Sequence, residues 1–143
     1  MAEQLCTLIV GGVQFGVDVL RVQEVIRKQP MTRVPRSHDV VGGLINLRGQ
    51  IVTAVDLRRR LGLPPADHKD LMNVVVRTDD GAVSFLVDEI GDVVEPTTLG
   101  REKPPETLPE EYRDVITTVY KLDDSLLLQL DVDRLVELPV RAA

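Results

Sequence analysis

The stretch Gly43-Leu44-Ile45-Asn46-Leu47-Arg48-Gly49-Gln50-Ile51-Val52-Thr53-Ala54-Val55-Asp56-Leu57 decides how this chain is read. Two apolar, strand-like runs meet at a polar bend, with one arginine held between Leu47 and Gly49. A cation at such a bend projects from a rigid β scaffold into solvent. Recognition surfaces are built this way, because side chains on a rigid support lose little freedom on binding. No base, nucleophile or metal ligand stands beside the arginine, so the stretch does not read as an active site. The competing reading is a plain hairpin whose Arg48 is merely solvated.

Downstream, Ile51, Thr53, Val55 and Leu57 share one face of a strand. Asp56 then caps a brief helix over residues 57–61, stopped by Gly62 and Pro64-Pro65. Upstream, strand-like runs over 5–10 and 13–19 flank Gly11-Gly12, the signal of a tight hairpin. Residues 22–26 continue in extended form, with a helix as the alternative in so short a window, and Ser37 caps a short turn of helix ending at Gly42-Gly43. Residues 64–70 form a polar connector. Runs over 72–76 and 83–87 surround Asp79-Asp80-Gly81, a turn sequence. A further strand covers 90–95. Residues 96–109 hold four prolines and read as a loop or edge segment. Runs over 115–122 and 126–130 close a last hairpin, and Asp131 or Asp133 caps a final short helix through Leu138.

A repeat lies within this pattern. Residues 11–18 (GGVQFGVD) match residues 81–88 (GAVSFLVD) at five of eight positions, and the chain's two phenylalanines occupy equivalent places. A strand, an aspartate and a short helix recur at 51–61 and 126–136. The expectation is a mainly β protein of two similar small units. Each is near the lower size limit for a core, so the two must pack together. Many short strands at this spacing point to closed or nearly closed barrels.

Composition narrows the function. Among 143 residues there are 23 Val but only six Ala, which favours strands over helices. The formal charge of −6 argues against a nucleic-acid partner and against insertion into or adhesion to an anionic membrane. Arg58, Arg59 and Arg60 form a basic cluster that the solvated face of a short helix explains at least as well as a phosphate site does. A single cysteine, Cys6, rules out an internal disulfide framework and fits a reducing compartment. The amino-terminal residues carry neither a cationic segment nor a long apolar run, so no signal peptide is expected.

A search for chemistry finds little. Ser37, Ser84 and Ser125 are in no nucleophile elbow. His38 and His68 fall in polar, proline-flanked segments and read as solvated. Cys6 reads as a small core residue. No spacing matches a metal site, and no cofactor motif is present. Adjacent acids such as Asp88-Glu89 point to opposite faces of a strand, which weakens a shared acid–base role. A small hydrolase using Asp88, Glu89 or His68 is the remote alternative.

The run from Gly43 to Arg58, Gly-x-x-Asn-Leu-Arg-Gly-x-Ile-Val followed by Val-Asp-Leu-Arg, resembles the signature of CheW-like chemotaxis coupling proteins. Residues 17–25 (VDVLRVQEV) and 87–93 (VDEIGDV) are similar to the family's flanking motifs. The similarity runs from about Leu5 to Leu138. Thr53 departs from the pattern, standing where a proline is common. The resemblance implies two packed five-stranded SH3-like β-barrels with a few short helices. They form one domain over 1–143, with barrels in approximately the first and second halves and terminal strands free to exchange. It implies a non-enzymatic adaptor, without cofactor or metal, that links the chemoreceptor cytoplasmic tip to the regulatory domain of the histidine kinase CheA. Its expected place is the cytoplasm, at receptor arrays held through partners. A paralogous pathway controlling surface motility or development is the alternative output. Receptor-binding positions carry over to Gly43 and Arg48, framed by Asn46, Leu47 and Gly49, and to Val93. Val22 and Glu24 match positions tied to partner contacts.

Overall fold

The computed structural model describes residues 3–35, 39–64, 71–96 and 100–137. Eleven strands form two sheets among these residues. The strands are β1 (Leu5–Val10), β2 (Val13–Asp18), β3 (Val22–Arg27), β4 (Val41–Leu47), β5 (Gln50–Asp56) and β6 (Met72–Thr78). They continue with β7 (Gly81–Val87), β8 (Glu89–Val94), β9 (Arg101–Glu102), β10 (Ile116–Lys121) and β11 (Leu126–Leu130). Three short helices are α1 (Leu57–Arg60), α2 (Glu110–Arg113) and α3 (Val132–Leu135). A 3-10 turn, Val19–Arg21, follows β2, where the sequence reading carried the strand on to residue 19.

The five middle strands form a central sheet in the order β3-β6-β7-β5-β4. The chain's two ends share a terminal sheet, ordered β8-β1-β2-β11-β10-β9. Without β9 the two orders correspond strand for strand. Each has one parallel pair, β2 with β11 and β5 with β7, and antiparallel pairs elsewhere. The internal repeat is therefore architectural. Its equivalent phenylalanines, Phe15 and Phe85, are both fully buried. The equivalent aspartates cap equivalent helices: Asp56 accepts from the Arg59 amide, and Asp131 from those of Asp133 and Arg134. The sixth strand, β9, comes from the proline-rich edge segment and pairs briefly with β10.

Strand alternation divides the apolar residues among three clusters. On β6, Val74 and Val76 enter a core shared by both sheets, while Val75 faces the central sheet's own interior. On β7, Phe85 and Val87 enter the shared core and Leu86 the central one. In the terminal sheet, Leu8, Val10, Phe15, Val17 and Leu130 join the shared core, while Leu5 and Leu127 pack with Tyr120 on the other face. Burial on both faces explains why these strands are apolar nearly throughout. Each large side chain removed from water contributes about 1.5–3 kcal/mol.

Arg58 and Arg60 of α1 are not part of a solvated face, whereas Arg59 is exposed. Arg58 pairs with Asp88 at 2.6 Å, Arg59 lies 3.7 Å from Asp56, and Arg60 Nε donates to the Leu135 carbonyl at 2.8 Å. Arg60 thereby satisfies a carbonyl at the end of α3 that no helical amide can reach. Gly42 and Gly43 lie inside β4 and do not end a helix. A Cβ on Gly42 would lie 3.0 Å from Leu86 Cδ1, so the site is tightly packed. Ser37, His38, His68 and Leu138 lie outside the described residues.

Candidate functional site

The β4–β5 hairpin closes through two residues, Arg48 and Gly49, with Leu47 facing Gln50. Both turn residues have positive φ, +52° for Arg48 and +85° for Gly49. That pair of angles marks the type I′ turn, whose twist suits a two-residue hairpin. Arg48 is the sole non-glycine residue with positive φ among the described residues. A side chain in this region is strained, and local contacts offset the cost. Asn46 Oδ1 accepts from the Gly49 amide at 2.9 Å and ties the turn across its base. Leu47 is buried in the central core and anchors it from below.

The Arg48 guanidinium donates to Glu24 through both terminal nitrogens, at 2.8 and 2.6 Å. Its side chain remains 74% exposed, whereas that of Glu24 is 17% exposed. The hydrogen bonds from Arg48 to Glu24, with the carboxylate's charge, raise the guanidinium's pKa above its ordinary value. The competing reading of a merely solvated arginine does not hold: the cation is exposed, yet oriented by a planar two-point contact. Glu24 is on β3 and Arg48 ends β4, the two edges of the central sheet. The pair therefore bridges edge to edge. A second link to β4 comes from the connection that follows β3, where Thr32 exchanges two backbone hydrogen bonds with Leu44, each 2.8 Å.

Gly43 stands beside that second link. Its φ is +155°, and a Cβ there would lie 2.8 Å from the Thr32 carbonyl oxygen and 3.1 Å from Met31 Cβ. Residues 31–32 of the same chain thus approach Gly43 too closely for any side chain. Val22 opens β3 and packs against the shared core. Val93 is on β8, at the edge of the terminal sheet, and 54% exposed. The structure thus gathers Arg48, Glu24, Asn46 and Gly49 into one cluster. Leu47 and Gly43 support it, Val22 lies on the core side of β3, and Val93 belongs to the other sheet.

One residue escaped the sequence reading. Ile51 pairs with Asn46 across the hairpin and is 63% exposed. It was grouped with Thr53, Val55 and Leu57 as one strand face, and that grouping holds. Val55 and Leu57 are buried, Thr53 is half-buried, and the face emerges from the core at Ile51. The available signal was distance along the strand from the capped helix, since Ile51 directly follows the turn.

Of the residues named for hydrolysis, His68 lies outside the described residues and Asp88 is committed to an ion pair. Asp88 accepts from Arg58 and from the Gly11 amide. Burial pushes its carboxyl pKa up, but Arg58 and the Gly11 amide together outweigh this and hold it below the ordinary range. Cys6 is buried in the shared core, where desolvation raises its thiol pKa and keeps it protonated. Among the described residues, no three His, Cys, Asp or Glu side chains gather in a metal-binding arrangement. No helix there is long and apolar enough to cross a membrane.

Comparison with known proteins gives the same direction. Residues 4–139 match the model of the CheW-like domain. The chain is 29% identical over 136 residues to the chemotaxis protein CheW of Bacillus subtilis, covering 94% of this chain and 87% of that protein. It is 33% identical over 123 residues to CheW of Thermotoga maritima, covering 86% and 80%. The crystal structure of the scaffolding protein TtCheW from Thermoanaerobacter tengcongensis superposes with a TM-score of 0.86. At 23% identity it covers 96% of this chain and 94% of that one, which establishes the shared fold. With a match across nearly its whole length, the chain belongs to the CheW-like domain family, and its role is that of a non-enzymatic chemotaxis adaptor.

Proposed function

We propose that this protein couples chemoreceptors to the histidine kinase CheA in a cytoplasmic chemosensory array, and that the Arg48 hairpin docks the helical cytoplasmic tip of the receptor. The observation carrying this reading is an exposed guanidinium, fixed by Glu24 on a rigid turn and flanked by exposed Asn46 and Ile51. An arginine already oriented loses little freedom when it binds, and apolar surface beside a cation is the composition of a protein-binding patch. Val93 and the other family positions add contacts to the same partner, while Val22 and Glu24 support the surface from β3. The regulatory domain of CheA occupies a separate face. Holding receptor and kinase together raises their effective concentration, and unequal affinity for the kinase's states biases its activity.

The test is Arg48→Glu, read by a circular-dichroism melt and two titrations. We expect a folded protein with sharply weaker binding to a receptor-tip fragment and unchanged binding to the CheA regulatory domain. The variant sets two carboxylates face to face, so Arg48→Glu with Glu24→Gln serves as its companion. Receptor binding at wild-type affinity in both proteins overturns the assignment of Arg48.

A further inference from the structure

Two ion-paired latches tie the sheets together, and they are opposite in charge arrangement. In the first, Asp88 Oδ2 accepts from the Gly11 amide at 2.8 Å. Arg58 holds the same carboxylate, Nε to Oδ1 at 3.1 Å and Nη2 to Oδ2 at 2.6 Å. Arg58 and Asp88 follow strands of the central sheet, and the amide opens the β1–β2 turn of the terminal sheet. In the second, Asp133 Oδ1 accepts from the Asp79 amide at 2.8 Å, and Arg21 Nη2 donates to Oδ2 at 2.9 Å. Here both side chains follow strands of the terminal sheet, and the amide opens the β6–β7 turn of the central one. Arg58 and Asp133 are equivalent in the repeat, each second in line after its helix-capping aspartate. That one position carries a guanidinium in one copy and a carboxylate in the other, whereas their partners, Asp88 and Arg21, are not equivalent: the repeat pairs Asp88 with Asp18.

The first latch lies between the two elements on which docking depends. From the Arg48 turn, β5 runs directly into α1, which carries Arg58. Asp88 is the residue at which the chain leaves β7 for β8, the strand of Val93, and its amide donates to the Ile9 carbonyl at 3.1 Å. The Arg58 and Asp88 side chains are 16% and 24% exposed, so solvent screens the pair weakly. Two bonds from one planar guanidinium fix orientation as well as distance. We propose that the Arg58–Asp88 pair is a positioning element that sets the spacing between the Arg48 hairpin and the Val93 strand, so that a helical partner touching both meets them at a fixed separation. The clause about the partner rests on the docking reading above; the clause about spacing does not.

The experiment uses the full chain in a Cys6→Ala background, spin-labelled at the exposed positions Gln50 and Asp92. Double electron–electron resonance gives the distance distribution for the background protein, Asp88→Ala and Arg58→Lys. Lysine keeps the charge but cannot make both bonds. We expect a broadened or displaced distribution in both variants, and receptor-tip affinity about tenfold lower, within the range of coupling between sites. Folded variants whose distributions coincide with the background protein overturn the proposal. Should Asp88→Ala fail to fold, Arg58→Lys decides. Affinities are measured on the unlabelled proteins: if the unlabelled wild type does not bind the receptor fragment, the docking reading fails, and the distance distributions still decide the positioning role.

Discussion

At Arg48 two unfavourable features, a left-handed backbone and a long charged side chain, are held in place by Asn46 beneath and Glu24 beside. The sequence displayed the arginine and its turn glycine plainly. It could not display Glu24 as the partner, because contact between β3 and the end of β4 depends on how the sheet curves. At Gly43 too the decisive neighbour was hidden: the Thr32 carbonyl that requires a glycine there is brought up by the connection after β3. Gly43→Ala forces a Cβ against that carbonyl, and overpacking of this kind costs about 1–3 kcal/mol. A lower melting temperature, with loss of hydrogen-exchange protection at the Thr32 and Leu44 amides, is the expected outcome. Asp88 supplies a pH-dependent case. Its folded pKa lies below the unfolded one, so its stabilisation is complete above the ordinary carboxylate value of about 3.9 and fades as pH falls through the depressed value. The stability gap between wild type and Asp88→Asn should therefore be constant near neutrality and close as pH drops below about 4. A gap that widens in acid contradicts the assignment.

Elements follow from short-range rules wherever those rules are complete. Gly11-Gly12, Asp79-Asp80-Gly81 and Arg48-Gly49 close hairpins, and Asp56 and Asp131 start helices, as their side chains dictate. Asp131→Ala removes a cap that accepts from two amides and should cost about 1 kcal/mol in a denaturant titration, with α3 still present. Short-range rules misled at Gly42-Gly43, where paired glycines looked like a helix end but make room for Leu86 and Thr32. They misled again at the α1 arginines, since a helix of one turn offers no periodicity to tell an inward face from an outward one. Arg58 and Arg60 find their partners in segments remote in sequence, Asp88 and α3.

At the scale of the molecule, the largest apolar cluster belongs to neither sheet alone. The repeat foretold two units that must pack together, and the shared core is the physical form of that need. Phe85→Ala deletes a fully buried ring there and should cost about 3–5 kcal/mol. Because both sheets draw on the same core, unfolding should be a single transition. Amide exchange at Leu8 and Phe15 in one sheet and Val74 and Phe85 in the other should report the same opening free energy. Separate values would show that each sheet stands alone.

The parallel pairing of β11 with β2 also fixes an order of events during synthesis. The central sheet comes from one contiguous stretch and has all its strands once residue 87 has left the ribosome. The β1–β2 hairpin must wait for β11, the last of the eleven strands, before its own sheet is complete. Until then its edge is open, so a nascent chain stalled in its final third presents a bare strand to any neighbour.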